Sequence, residues 1–460
     1  MNLKFTLLLA GVVSFSAAKA QEMSGFRTDN YNGVNGGFFN PANLGNSPFK
    51  VDVNIFGINA SSANQHIKLK LKTLTDADDT SSLTTIIGDK PNNMLTSVAI
   101  HLPSVAYRIN ENTSVALLTR MRVINNIQDL DGKLISAISN SEVQLPYTLT
   151  GNTNMRVNVN MFAELGLSGS HVVYNEGNHF IKVGATLKYL AGVQNYYLQL
   201  NKISGTIDTT VGGDVVLRNA SGSLAIGGGG MDFEGEDIKF EVNGSGFGVD
   251  LGAVYEYRPE SLKDEAIPYL FKANLAILDL GSIKYTSVSN TYSYGINIPA
   301  GQQFELKKFD DKSGSEINDV LDANPQYFTR GSGISGSQYR VSLPRTIQLG
   351  GDFRATKNVF IAANVQLAMN NNETKAYNPT AMNSFMITPR YESTLLAAYL
   401  PISYNNLSKL NMGIGFRAGP LYAGSSSMLS RAFGNSKQID FYFGFRVGFK
   451  TKQKKENKEG

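Results

Sequence analysis

Along this chain apolar and polar residues trade places one by one. From Ile439 to Lys450, Ile439, Phe441, Phe443, Phe445, Val447 and Phe449 share one parity. Asp440, Tyr442, Gly444, Arg446, Gly448 and Lys450 share the other. A period of two is that of a β-strand with one greasy face and one polar or small face. The same alternation runs through Phe247 to Arg258, Ile181 to Tyr189 and Arg156 to Leu167. Read end to end, it predicts twelve strands, at about 49–60, 96–109, 113–124, 155–174, 179–200, 236–258, 268–286, 337–355, 358–369, 385–404, 410–424 and 439–450. A hairpin concealed in a long connection would raise the number, so the expectation is 12 to 14 strands.

A water-soluble sandwich alternates too, and three features decide against it. Charges stand mid-strand on the polar face: Arg120 and Arg122, Asp352 and Arg354, Arg390 and Glu392, Arg417, Arg446. In a membrane barrel such charges line a wet interior while the apolar face meets lipid. Several segments, 156–174, 179–197 and 385–404, read as single runs far longer than the usual strand of about 5–6 residues. The connections also alternate in length. Tight polar turns fall at 110–112, 175–178, 356–358 and 405–406, with a longer one at 259–267; long polar stretches lie near 61–95, 125–154, 201–235, 287–336, 370–384 and 425–438. Short turns at one end and long loops at the other predict an all-β transmembrane antiparallel β-barrel with short periplasmic turns and long extracellular loops. Tyr107, Tyr174, Phe180, Tyr255, Tyr257, Phe353, Phe360, Tyr404 and Phe449 fall beside the short turns, where an interfacial aromatic girdle belongs.

Residues 1–20 carry Lys4, an apolar run from Phe5 to about Ala18, and Ala18-Lys19-Ala20, the pattern of a cleaved secretory signal peptide. The expected organisation is a signal peptide at 1–20, an N-terminal periplasmic or plug segment at 21–48, the barrel at 49–450 and a basic periplasmic tail at 451–460. Export to the outer membrane of a diderm bacterium follows, with membrane lipid and the barrel assembly machinery as partners. Composition narrows the chemistry. With no cysteine and four histidines in 460 residues, thiolate metal sites, cysteine nucleophiles and disulfides are excluded. A formal charge of +4 carries no nucleic-acid footprint.

Asn40-Pro41-Ala42, preceded by Gly33, Gly36, Gly37, Phe38 and Phe39, resembles the N-terminal segment of FadL-like long-chain fatty acid transporter barrels, in which such a segment helps plug the lumen. The wider chain is similar to an uncharacterised family of Bacteroidota outer-membrane barrels, related in style to barrel components of type IX secretion and gliding. The pieces that carry this are Phe39 to Ala42, Gly246 to Gly252, Leu278 to Tyr285, Ser342 to Arg345, Thr388 to Glu392 and Gly419 to Gly424. The resemblance implies an N-terminal plug but no settled activity.

Candidate chemistry is sparse. Gly227 to Gly230 and Gly244 to Gly248 are not followed by Lys-Ser/Thr and open no helix, so they lack a phosphate cradle. His171 and His179 flank the turn at 175–178 without a clear acidic third ligand, which is poor zinc chemistry. Asp76, Asp78, Asp79 and the pair Asp310-Asp311 offer carboxylate oxygens for weak Ca²⁺ binding, but the favoured reading is solvated loop residues. No nucleophile elbow occurs; no cofactor, metal or catalytic residue is assigned, and a hydrolase ranks third. The expected lumen lining is Arg120, Arg122, Arg156, Glu164, Lys182, Lys188, Asp250, Glu256, Arg354, Arg390, Glu392, Arg417 and Arg446, mixed in sign with cations in excess. Such a lining either closes the interior by ion pairing or favours anions through a wet pore. The leading expectation is therefore a barrel that passes or binds a small hydrophobic or anionic solute, and the alternative is a barrel that anchors an envelope complex through a protein partner.

Overall fold

The structure is a computed structural model and describes residues 22–65, 92–131, 133–134, 137, 144–229, 241–287, 291–310, 312, 315–331, 337–369, 375–434 and 436–450. The signal peptide at 1–20, the acidic loop residues 76–79 and the basic tail at 451–460 lie outside the described residues.

Fourteen antiparallel crossings close on themselves. They are β1 Val51–Asn64, β2 Asn92–His101 continued by Ser104–Arg108, β3 Thr113–Leu130, β4 Tyr147–Glu176, β5 His179–Thr209, β6 Gly244–Tyr257 and β7 Phe271–Thr286. The second half comprises β8 Gln338–Ser342 continued by Thr346–Arg354, β9 Val359–Ala368, β10 Ser384–Glu392, β11 Leu396–Tyr399 with Ile402–Asn405, β12 Lys409–Met412 with Ile414–Ala418, β13 Leu421–Ser425 and β14 Gln438–Phe449. Each pairs with the next, and β14 returns to β1 through Val51↔Phe449 to Ala63↔Gln438, so no edge is left open.

The count exceeds the twelve strands predicted one by one because two of those strands are each a hairpin. The run 385–404 reverses at 393–395, pairing Arg390 with Tyr399. The run 410–424 reverses at Gly419-Pro420, pairing Ala418 with Leu421. The turn at 405–406 consequently belongs to the long-loop end, and Tyr404 leaves the periplasmic aromatic set. Phe180 and Phe360 leave it as well, because both are buried in the lumen; Tyr107, Tyr174, Phe353 and Phe449 face outward.

Parity explains the wall. On β4, Leu165 and Leu167 point out while Glu164, Ser168 and Ser170 point in; on β3, Leu117 points out beside the inward Arg120 and Arg122. Phe247 is 67% exposed and Arg122 1% exposed, an inversion of soluble-protein burial that only a lipid exterior rationalises.

β4 and β5, of 30 and 31 residues, run far beyond the barrel rim. An extra residue near Val193 shifts the parity of β5, so Asn195 points inward while Tyr196 and Leu198 turn outward. That outer face joins Val215–Gly229, Tyr292–Glu305 and Phe328–Arg330 in an extracellular sheet. Its core holds Tyr196, Leu224, Ile226, Tyr294 and Phe304, and Ile317 and Leu321 of the helix Ser315–Asp322 close it at helical spacing.

Candidate functional site: a stoppered lumen

The segment 22–48 enters the barrel as three short 3₁₀ turns, Phe26–Thr28, Gly33–Phe38 and Pro41–Leu44. Asn40 caps the last: its Oδ1 accepts from Ala42 N at 2.9 Å, and Pro41 at the first position loses no hydrogen bond there. The Asn40 Nδ2 donates to the Ala253 and Leu275 carbonyls of β6 and β7 at 3.3 and 3.2 Å. The turn fits because Gly184 and Gly252, partners across β5 and β6, present bare backbone beneath it. A Cβ on Gly184 would stand 2.5 Å from Pro41 C and 2.6 Å from Ala42 N, and one on Gly252 would overlap Asn40 Oδ1. Ser170 Oγ donates to Ala42 O (3.2 Å) and Lys182 Nζ to Gly45 O (2.8 Å).

Charges fasten the rest of the plug. Asp29 accepts from Arg417 Nε at 2.7 Å and from Tyr399. Asp52 of β1 pairs with Arg446 and accepts from Val34 N at 2.7 Å, while Arg446 also donates to Tyr31 O at 2.6 Å. Phe26 stacks on Tyr422 with centroids 4.0 Å apart.

Deeper in the lumen Arg120 and Arg122 clasp Glu164 at 2.8 and 2.9 Å. Arg122 also reaches Asp279 at 2.9 Å, Lys188 bridges Asp250 and Asp279 at 2.8 and 2.7 Å, and Glu22 of the plug pairs with His101 and Arg120 at 2.7 and 3.3 Å. Elsewhere Lys182 and Arg258 flank Glu256 at 3.6 and 2.5 Å, Arg390 grips Asp352 and Glu392 at 2.6 and 2.8 Å, and Arg354 Nη1 donates to Ile267 O at 2.6 Å. Of the residues expected in the lumen, all but Arg156 are buried; Arg156 shares their parity on β4 near the extracellular mouth and is half-buried. Asp29, Asp52, Glu22 and Asp279 were missed by sequence reasoning. The surplus of lumen cations was the available signal, since a buried guanidinium needs a carboxylate from somewhere. His171 and His179 stand apart on the outer surface, bonded to Thr113 (2.9 Å) and Tyr255 (2.8 Å).

A second stopper enters from the other end. Residues 376–383 fold down into the mouth, where Asn126 exchanges hydrogen bonds with Thr380 (3.1 Å each way). Asn158 donates to Asn378 O at 3.3 Å and Asn195 to Tyr377 O at 3.0 Å. Beneath, Met382 joins an apolar layer of Phe162, Leu190, Tyr285, Tyr339 and Leu343.

Among the described residues, two neighbouring cavities lie along the wall formed by β7, β8 and β9. The larger, about 380 Å³, lies at the periplasmic end beside Pro48 and residues 265–268. The smaller, about 40 Å³, lies higher, between Glu22 and Phe38 of the plug and Ala381 of the upper stopper. Arg27, Phe39 and Gln348 line both. Arg27 hydrogen-bonds Gln348 and lies 4.9 Å over the Phe39 ring, so these three side chains form the partition.

Closure, strand parity and an inserted N-terminal segment define the class: a plugged outer-membrane β-barrel. The chain belongs to the family described as a family of unknown function, DUF5723, which matches residues 41–426. No curated protein matches it. Solved structures of similar fold include a Pseudomonas aeruginosa FadL homologue, at 7% identity and TM-score 0.46, covering 94% of this chain and 99% of that one. The Ralstonia pickettii toluene transporter TbuX is similar at 11% identity and TM-score 0.42, covering 89% and 92%. A deletion mutant of the TodX monoaromatic hydrocarbon channel is similar at 11% identity and TM-score 0.47, covering 95% and 98%.

Proposed function

We propose that this barrel passes or binds a small solute along the β7–β8–β9 wall, with segment 22–48 as the stopper on the periplasmic side. The observation that carries the reading is the pair of cavities in line on that wall, divided only by Arg27, Phe39 and Gln348. The plug is fixed to the barrel, this wall included, by hydrogen bonds and ion pairs and by no covalent link beyond the chain itself, so it is removable in principle. Single-channel conductance and liposome swelling test this. The barrel lacking residues 23–48 is expected to pass small solutes far faster than the intact mature barrel; no passage by either form overturns the reading.

One observation favours a second reading, an anchor for an extracellular partner: the sheet built on β4 and β5 has a core of its own, independent of the lumen. Crosslinking on intact cells is expected to recover a stoichiometric partner if that sheet is the working part, and repeated recovery of none counts against it.

A further inference from the structure

From the periplasmic cavity we infer that the solute is a small hydrophilic oxyanion, recognised by Lys182, Lys272 and Arg27 together with the amides of Asn30 and Asn364; this rests on the conduit reading above. The cavity is lined by five cations, Arg27, Arg108, Lys182, Arg258 and Lys272, and a volume of about 380 Å³ is within the range of small-molecule sites. Four carboxylates share the lining, Asp29, Glu256, Glu265 and Asp352, but most are committed elsewhere. Asp29 is held by Arg417 at 2.7 Å and Asp352 by Arg390 at 2.6 Å, while Glu265 lies 3.6 Å from Arg354, all three being cations outside the lining. Glu256 is closest to Arg258, at 2.5 Å.

The remaining cations are only loosely balanced. Lys182 is 3.6 Å from Glu256, Lys272 is 3.6 Å from an Asp352 already held by Arg390, and Arg27 interacts with Glu22 only at longer range, with no direct ion pair among the described residues. Their ammonium and guanidinium groups rest instead on neutral oxygens, Gly45 O for Lys182, Asn30 Oδ1 for Lys272 (2.8 Å each) and Gln348 for Arg27. An oxyanion would gain charge-assisted hydrogen bonds in place of these neutral ones.

The amides point to the same chemistry. With Asn30 Oδ1 occupied by Lys272, its Nδ2 is the group left over. It is buried without a partner among the described residues, as is Nδ2 of Asn364. Both residues line the cavity. Above them the wall continues in carboxamides. Asn274 and Asn364 flank Gly350 in register, and Gln348 and Gln366 occupy the next inward row. Such a track offers donors and acceptors to a polar molecule and little to a hydrocarbon.

The test is calorimetric titration of the full mature barrel in detergent with citrate, with inorganic phosphate and with toluene. Saturable binding of citrate or phosphate is expected, weakening with salt and falling roughly ten-fold in Lys272→Met, the scale of one lost charge-assisted hydrogen bond. Asn364→Leu, which changes no charge, is expected to lose several-fold, and it keeps the test decisive if the lysine variant does not fold. Binding of neither oxyanion, or binding indifferent to both substitutions, overturns the oxyanion site. If the form lacking residues 23–48 still passes neutral solutes in that case, the conduit reading stands without it; if neither form passes anything, the conduit reading falls first.

Discussion

Substituting Gly184 by alanine isolates what holds the plug in place. A methyl group at that position meets Pro41 C at 2.5 Å, Ala42 N at 2.6 Å and Pro41 O at 2.8 Å, all backbone atoms that no rotamer change can move aside. Ordinary contact begins near 3.4 Å, so the Pro41–Leu44 turn must retreat by about 0.9 Å. The Asn40 bonds to Ala253 and Leu275 are already 3.3 and 3.2 Å long and do not survive that retreat. Overpacking costs about 1–3 kcal/mol, and each hydrogen bond lost adds about 0.5–1.5 kcal/mol. Taking about 2–3 kcal/mol, the ratio of displaced to docked plug rises roughly 30- to 160-fold. Because the chain has no cysteine, Leu44→Cys provides a single thiol in the docked turn, where Leu44 is buried. Its labelling rate reports the displaced fraction. The expected result is a rise of that order in Gly184→Ala and none in Gly169→Ala, where a methyl group meets nothing within 4 Å. Equal rates in the two variants, with both barrels still heat-modifiable on gels, would refute the glycine seat.

Other perturbations separate wall, plug and upper stopper. Asp29→Asn leaves Arg417 without its carboxylate and is expected to weaken plug docking by about 3–5 kcal/mol, read as protease sensitivity of residues 22–48. Leu187→Arg places a charge on the lipid face and is expected to destabilise the barrel by about 2–4 kcal/mol if it lies near the bilayer midplane, visible as a lower heat-modification temperature. Asn126→Ala removes the reciprocal bonds to Thr380, a loss of about 1–3 kcal/mol in holding residues 376–383, and is expected to speed external labelling of Ala381→Cys.

The wall was legible in the chain because lipid outside and charge inside impose a period of two that survives translation into sequence. Strand number was less so. The reversal at 393–395 carries only Ser393, Thr394 and Leu395, without glycine or proline, so no turn signal marks it and the side-chain parity merely slips by one residue across it. At Gly419-Pro420 the turn signal is present, but β13 has 5 residues and alone does not resemble a crossing. Side-chain parity assigned Arg417 and Arg446 to the interior; their partners Asp29 and Asp52 belong to a plug without periodicity and to the first strand, and only the folded geometry joins them. Arg27 was invisible for the same reason, since a lone arginine in an irregular segment has no pattern to betray what it faces.

The unequal strands give the barrel a lopsided profile with a practical result. β5 has 31 residues, a contour of about 100 Å at roughly 3.3 Å per residue, against a hydrocarbon slab of about 30 Å, whereas the β11–β12 turn opposite ends near the rim. The tall flank works as a mast that carries its hairpin well beyond the opposite rim. An epitope inserted at Gly212 should be stained by antibody on living cells, while the same epitope at Asn406 should stay in shadow.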